Sequence, residues 1–140
     1  MSVKVLYKTT AKATGGRDGT ASTTDGKLNV KLSTPKELGG GGGDGNNPEQ
    51  LFAAGYAACF HSALKLVAAK SNADMTDSEV VADVSLGANA TGGFGLAAHV
   101  EVSLPQLDRE TAGALVAQAH QVCPYSNATR GNMQVTLAVA

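Results

Sequence analysis

Short runs of alternating hydrophobic and polar residues dominate the first third of the chain. Residues 3–7 and 27–32 have this pattern, residues 19–24 are the candidate for a middle strand, and the turn-forming pairs Gly15-Gly16 and Asp25-Gly26 separate the three segments. A period of two places one side of a strand on a core and the other side in solvent. The pattern predicts three strands that form a small antiparallel meander.

At residue 47 the pattern changes to a long, almost continuously apolar segment. Asn47, Pro48, Glu49 and Gln50 have the order of a helix start: a capping side chain, proline in the first helical position and an acid in the first turn. The residues that follow, up to about residue 70, are apolar on nearly every side of a helix, which is typical of an element buried on most sides. We expect a central helix of roughly 30 Å that carries Cys59 in the interior.

The second half of the chain alternates between strand and helix signals. The elements predicted there are strands at residues 80–88, 94–104 and 134–139, a helix at 109–122 capped by Asp108, and a helical turn at 126–131. Thr91-Gly92-Gly93 predicts a hairpin between the first two of these strands, and no internal repeat is found. The order predicts a single α+β domain over residues 1–140.

The composition adds an indication of self-association. The apolar content rests largely on alanine and on 17 glycines, and only 16% of the residues are charged, against about 25% in typical domains. Because exposed apolar surface is normally covered by a partner, this favours an oligomer. The formal net charge of -1, without a cluster of Lys and Arg, argues against nucleic acid and against an anionic membrane as partners.

The N-terminus and the cysteine content indicate a cytoplasmic protein. The first residues lack the charged, apolar and cleavage regions of a signal peptide, and we find no uninterrupted apolar run of about 18 residues. In the cytoplasm, Cys59 and Cys123 are normally kept reduced. A bond between them is therefore more typical of catalysis or redox sensing than of structure.

A run of five glycines at residues 39–43 precedes the long helix. It resembles a phosphate-binding loop only superficially, because the Lys-Ser/Thr ending is missing and no βαβ strand comes before it. We therefore interpret the run as a flexible connector.

Cys59 needs a nearby positive charge to become a nucleophile, because the reactive form is the thiolate and an apolar interior disfavours it. Arg17, on a glycine-rich turn, is the candidate, since a guanidinium that folds over an apolar pocket stays charged; the alternative is an exposed turn arginine. Glu49 could orient Arg17 through a bidentate pair. Since Glu49 lies ten residues from Cys59, about 15 Å along a helix, we expect it to reach the site from a partner chain.

Two other readings of the cysteines stay open on these grounds. Cys59 could be a small core residue and Cys123 an incidental residue at a helix end. A metal site is the other alternative, because His120 and Cys123 are three residues apart on one helix, with His61 and His99 as further donors. No CxxC, HExxH, Ser-His-Asp or nucleophile-elbow motif supports a metal or a serine nucleophile, and we predict no metal.

Two stretches together resemble the cysteine motifs of the organic hydroperoxide resistance proteins, a group within the OsmC-like superfamily. They are NPEQLFAAGYAACF at residues 47–60 and VCPYSNATRGN at residues 122–132. The resemblance extends over essentially the whole chain and includes the Gly-Arg-Asp-Gly turn at residues 16–19. The second stretch favours this group over its OsmC sister group, and the glycine run looks longer than the family's usual connector.

The resemblance implies an OsmC-like fold with two antiparallel sheets around a long buried central helix, in an intertwined homodimer with active sites at the interface. It also implies a thiol peroxidase without a bound cofactor. Cys59 is then the peroxidatic cysteine and Cys123 the resolving cysteine, while Arg17 activates the thiolate and Glu49 orients Arg17.

The implied reaction is reduction of alkyl and fatty-acid hydroperoxides to alcohols, through a sulfenic acid on Cys59 and a disulfide with Cys123. An external dithiol, the lipoyl group of a lipoylated protein, is the reductant that the resemblance implies. The alternative is a non-catalytic module on the same fold that senses redox state or binds an apolar ligand.

Overall fold

The N-terminal part of the chain forms the predicted antiparallel meander in the computed structural model, which describes residues 2–140. Its strands, hydrogen-bonded in this order, are β1 (Ala11–Thr14), β2 (Thr20–Thr23) and β3 (Asn29–Lys31). This part, through Pro48, is one compact unit, and Glu49–Ala140 is a second.

The prediction of a strand at residues 3–7 is wrong. Residues 2–10 adopt no regular secondary structure, and Val3, Val5, Leu6 and Tyr7 are each at least 71% exposed. A strand needs a neighbour that takes its backbone hydrogen bonds. Within residues 2–140 no strand pairs with this segment, so its alternating pattern has nothing to pack on.

The glycine-rich segment after β3 is a folded loop, not the flexible connector that we predicted. The Asn46 N–H donates to the Lys31 carbonyl oxygen at 2.8 Å, and the Gly42 N–H donates to the Thr34 carbonyl oxygen at 3.1 Å. At Gly40 a Cβ atom would lie 2.2 Å from that Thr34 oxygen. The loop therefore needs glycine where it approaches the backbone that precedes it.

The long helix is α1 (Pro48–Ala69), which begins at the predicted proline. It contributes six buried side chains, which are Tyr56, Phe60, Ala63, Leu64, Val67 and Ala68. Leu66, by contrast, is 57% exposed. In the single chain the helix is therefore covered on one side, whereas we expected it to be buried on most sides. The length and hydropathy of α1 would suffice to cross a membrane, a property that core helices of soluble proteins share.

The second sheet is mixed, which corrects the prediction of two antiparallel sheets. The elements after α1 are β4 (Glu79–Ala88), β5 (Phe94–Ser103), α2 (Arg109–Val122), α3 (Pro124–Thr129) and β6 (Gln134–Val139). β4 and β5 form the predicted antiparallel hairpin, and β6 pairs with β5 in parallel. Parallel pairing follows from the helices between β5 and β6, because such a crossover brings the chain back in the same direction.

The core of the second unit lies between α1, α2 and the central strand β5. In β5 from Ala98 onward every second residue is buried, namely Ala98, Val100 and Val102, and these side chains pack with the buried side of α1. The α2 helix begins at the predicted Asp108 cap, whose carboxylate accepts the Thr111 N–H at 3.0 Å. The α+β class, with two three-stranded sheets and a long helix, is confirmed.

Candidate functional site

Cys123 is placed by a sharp change of direction between two helices. The α2 helix ends at Val122, Cys123 has an extended backbone, and Pro124 opens α3 in the first helical position, where its missing N–H costs nothing. The Cys123 sulfur caps α3 by accepting the Ser126 N–H at 3.5 Å. The order Cys-Pro thus fixes both the end of one helix and the start of the next.

The two cysteines, 64 positions apart in the sequence, lie side by side. Cys59 is on α1, and its Sγ atom is 3.6 Å from the Cys123 Sγ atom, with the Cys123 thiol donating to the Cys59 sulfur. Both are free thiols. A disulfide has an S–S length near 2.05 Å, so a small movement of the two side chains would allow the bond to form.

The exposure of the two sulfur atoms differs. Cys123 is 0% exposed, whereas Cys59 is half-buried and lines an open pocket of about 410 Å³. The other residues that line this pocket are Ser62, Ala63, Leu66, Val122 and Pro124. A small molecule with an apolar tail can therefore approach Cys59 without first opening the core.

The surroundings of Cys59 favour the thiol over the thiolate. Burial is the main effect and raises the pKa of Cys59, and the neighbouring Cys123 raises it further. The backbone N–H of Tyr125, which donates to the Cys59 sulfur, acts in the opposite direction. A reactive Cys59 thus needs a further source of positive potential, as the sequence predicts.

Comparison with known proteins identifies the family of the chain that carries this cysteine pair. A model of the OsmC-like protein family matches residues 41–138. The chain belongs to the OsmC-like family. The matched range contains both cysteines, and the resemblance stated from the two motifs is confirmed.

This OsmC-like protein is similar to several organic hydroperoxide resistance proteins. It is 56% identical to that of Xanthomonas axonopodis pv. citri, over 98% of this chain and 96% of the relative. The solved structure from Legionella pneumophila is 51% identical, with a TM-score of 0.93 over 98% of this chain and 99% of the other. The structure from Elizabethkingia anophelis is 47% identical, with a TM-score of 0.94 over 99% of each chain.

Arg17 and Glu49 lie in different units of the OsmC-like chain. Arg17 is half-buried in a 3₁₀ turn, Gly16–Asp18, in the first unit, and Glu49 is half-buried in the first turn of α1 in the second. The Asp18 carboxylate ties the arginine turn to its own unit by accepting the Thr34 N–H at 3.0 Å. The roles of Arg17 and Glu49 toward Cys59 stay predictions.

Residues 2–140 contain no cluster of three or more His, Cys, Asp or Glu side chains that could hold a metal ion. Two of the histidines considered as ligands have other partners. His61 Nε2 is 2.9 Å from the Ser78 hydroxyl, and His99 Nδ1 is 2.6 Å from the Thr136 hydroxyl.

An aromatic cluster that was not predicted from the sequence is formed by residues of the two cysteine motifs. The rings of Phe52, Tyr56 and Tyr125 have centroids 5.8 to 6.2 Å apart. Gly55 makes room for it, because a Cβ atom there would lie 2.8 Å from the Tyr125 hydroxyl oxygen. A signal was present: four of the six Phe and Tyr residues of the chain lie in the two cysteine motifs.

Beneath this cluster, a buried hydroxyl network joins α1 to α3. Tyr56 Oη is 2.9 Å from Ser126 Oγ and 3.3 Å from Thr129 Oγ1, and all three side chains are at most 4% exposed. Ser126 is also the residue whose N–H reaches the Cys123 sulfur. The network therefore holds the segment that carries Cys123 against the helix that carries Cys59.

Tyr56→Phe is expected to lower the free energy of unfolding by about 1–3 kcal/mol, because it leaves the buried Ser126 hydroxyl without its tyrosine partner. Urea unfolding followed by circular dichroism measures this. The matched control is the double variant Tyr56→Phe/Ser126→Ala, which removes both hydroxyls and should recover part of the loss. Equal stability of Tyr56→Phe and the original chain would contradict the role of the network.

Proposed function

We propose that this protein is a cysteine-based peroxidase that reduces organic hydroperoxides to alcohols and so acts in organic hydroperoxide resistance. The observation that carries the proposal is the 3.6 Å separation of two free thiols, one of them on an open apolar pocket and the other buried. The names of the relatives, organic hydroperoxide resistance proteins, support the substrate class.

The proposed cycle begins at Cys59. Its thiolate attacks the outer oxygen of ROOH, so the O–O bond breaks, Cys59 becomes a sulfenic acid, and the alkoxide takes up a proton and leaves as ROH. Cys123 then attacks the Cys59 sulfur, which releases water and forms the disulfide. An external dithiol, for which we propose the lipoyl group of a lipoylated protein, reduces the disulfide and is itself oxidised.

The proposed preference for alkyl and fatty-acid hydroperoxides follows from the walls of the pocket. Leu66, Val122 and Pro124 offer apolar surface beside Cys59. Each CH₂ group that a substrate buries there contributes about 0.8 kcal/mol, so two such groups are worth roughly tenfold in binding. Hydrogen peroxide has no tail and gains nothing from these contacts.

A steady-state assay with a series of unbranched alkyl hydroperoxides and dihydrolipoamide as reductant tests the proposal. We expect kcat/KM to rise with chain length until the pocket is filled, by roughly tenfold for two added CH₂ groups, and to be lowest for hydrogen peroxide. A disulfide that forms without sustained turnover would favour the alternative, a redox-sensing or ligand-binding module.

A homodimer is part of the proposal, as is a cytoplasmic location. Val3, Val5, Leu6 and Tyr7 form an exposed apolar arm, and a second copy of the chain would give this arm a surface to cover. Light scattering of the purified protein should give twice the 14.1 kDa mass of the chain. A dimer would also allow Glu49 of one protomer to approach Arg17 and Cys59 of its partner.

Arg17→Ala is expected to raise the pKa of Cys59 further and to slow its reaction with peroxide. Burial already disfavours the thiolate, and in our proposal the guanidinium is the opposite charge that offsets this effect. A rise of one pKa unit would cut the thiolate fraction at neutral pH by about tenfold. The rate of Cys59 alkylation across pH measures it.

The control for this variant is Lys27→Ala, which removes one positive charge from an exposed position in the same unit. Its alkylation profile should match that of the original chain. The same profile for Arg17→Ala would show that Arg17 does not act on the Cys59 thiolate.

A further inference from the structure

The two sulfur atoms of the cysteine pair differ in their accessibility from solvent. This difference affects how an external thiol reduces the disulfide back to two thiols. Cys123 is 0% exposed, although both of its chain neighbours, Val122 and Pro124, line the open pocket. The cysteine on that pocket is Cys59. The chain thus brings the backbone of the 122–124 segment to the pocket and turns the Cys123 side chain into the core.

We propose that an external thiol reopens the disulfide at one sulfur only, by attacking Cys59 Sγ from the pocket and expelling Cys123. The incoming thiolate forms a bond to Cys59 Sγ, the bond between the two cysteines breaks, and its electron pair leaves with Cys123 as a thiolate. A dithiol reductant then attacks its own bound sulfur with its second thiol and releases Cys59. The inference rests on the proposed function only for the identity of that reductant.

Hydrogen bonding to the sulfur atoms does not determine which of the two sulfurs the external thiol attacks. Each sulfur accepts one backbone N–H, Cys59 from Tyr125 and Cys123 from Ser126. Either cysteine could therefore leave as a hydrogen-bonded thiolate. Thiol–disulfide exchange also depends on which sulfur the nucleophile can reach, and here the two cysteines differ.

Self-association would preserve the asymmetry. Cys123 has no exposed surface in the single chain, so a partner chain could remove none from it. A partner could reduce the access to Cys59, but it could not make Cys123 the more accessible sulfur unless the core opened. The hydrogen bond between the Tyr56 and Ser126 hydroxyl groups, 2.9 Å between their oxygen atoms, holds that part of the core closed.

The experiment maps the first bond that an external thiol makes. The protein is oxidised with diamide, which forms the disulfide without peroxidase chemistry, and is mixed with 2-mercaptoethanol. Samples are quenched at increasing times in acidic N-ethylmaleimide, and peptide mass spectrometry locates both labels. At the earliest times we expect mercaptoethanol on Cys59 and N-ethylmaleimide on Cys123, in at least about tenfold excess over the reverse.

Single-cysteine variants provide a second measurement. Cys123→Ser leaves Cys59 alone, and Cys59→Ser leaves Cys123 alone. In the folded state, 5,5′-dithiobis(2-nitrobenzoate) should label Cys59 at least about tenfold faster than Cys123, and in guanidinium the two rates should converge. Comparable rates in the folded proteins would overturn the argument from access.

Each other outcome is decisive. Adducts mainly on Cys123, or equally on both cysteines, would overturn the inference, and so would failure of diamide to form the disulfide. If the disulfide forms with diamide but does not form with alkyl hydroperoxides, the proposed peroxidase function is refuted. The site of thiol attack would still be measured in that case, so the two failures are distinguishable.

Discussion

Cys59→Ser is expected to abolish hydroperoxide turnover, with a loss of about 1000-fold or more in kcat/KM. The serine hydroxyl fits the same space, but its pKa lies far above that of a thiol, so an anionic nucleophile is not available at neutral pH. Burial, which already raises the pKa of Cys59, would raise that of a serine as well. Consumption of an alkyl hydroperoxide with dihydrolipoamide as reductant is the measurement.

The control for this variant is Ala58→Ser, which adds a hydroxyl to the neighbouring exposed position of α1 and keeps the thiol. It should retain activity, and both variants should keep the helical circular dichroism signal. Full turnover in Cys59→Ser would refute the proposed function. Cys123→Ser is informative beside it, because we expect one oxidation of Cys59 followed by over-oxidation or a mixed disulfide.

The second unit was largely predictable because its signals are local. The Pro48 start of α1, the Asp108 cap and the span of α2 follow from helix-start residues and a 3.6-residue period, and the structure confirms them. The β4–β5 hairpin follows from alternation around Thr91-Gly92-Gly93, where Gly92 has φ 91°. Such patterns need only neighbouring residues to specify an element.

The errors occur where an element depends on distant parts of the chain. The alternation at residues 3–7 is typical of a strand, but a strand also needs a neighbouring strand to pair with. Within residues 2–140 no strand pairs with this segment. The direction of β6 depends on the crossover through α2 and α3, which its own sequence does not encode. The glycine run looked flexible because glycine has no side chain that could indicate an ordered loop, although its N–H groups donate to the carbonyl oxygens of residues 34–36.

The same distinction applies to the site. The sequence identified Cys59 and Cys123 as a candidate pair, but their 3.6 Å separation comes from the packing of α1 against the α2–α3 junction. The Tyr56–Ser126 bond was not predicted, because each residue alone reads as an ordinary polar group on a helix. The two residues are 70 positions apart in the sequence, and only the fold brings them into contact.

Gly19→Ala is expected to disrupt the turn that carries Arg17 and to lower both stability and activity. A Cβ atom at residue 19 would lie 1.7 Å from the Thr14 carbonyl oxygen and 2.6 Å from the carbonyl carbon. Both are backbone atoms next to the junction of β1 with the turn, so no side-chain rotation can make room. Overpacking of this kind typically costs about 1–3 kcal/mol.

The expected loss of activity exceeds what the stability change alone would produce. The Gly19 carbonyl oxygen accepts the Leu32 N–H at 2.8 Å, so moving the backbone at residue 19 also strains the link to the segment after β3. If Arg17 activates Cys59, a displacement of about 1 Å can cost on the order of 100-fold in rate. We therefore expect slower peroxide reduction by folded Gly19→Ala, together with a Cys59 alkylation profile that shifts to higher pH, as in Arg17→Ala.

The matched control is Gly41→Ala, because no atom lies within 4 Å of the Cβ position there and its φ is not left-handed. Its unfolding free energy should stay within about 0.5 kcal/mol of the original, with unchanged activity. Urea unfolding and the alkylation profile separate a folding defect from a displaced arginine. A Gly19→Ala variant that matches Gly41→Ala in both measurements would show that the Arg17 turn tolerates a side chain at residue 19.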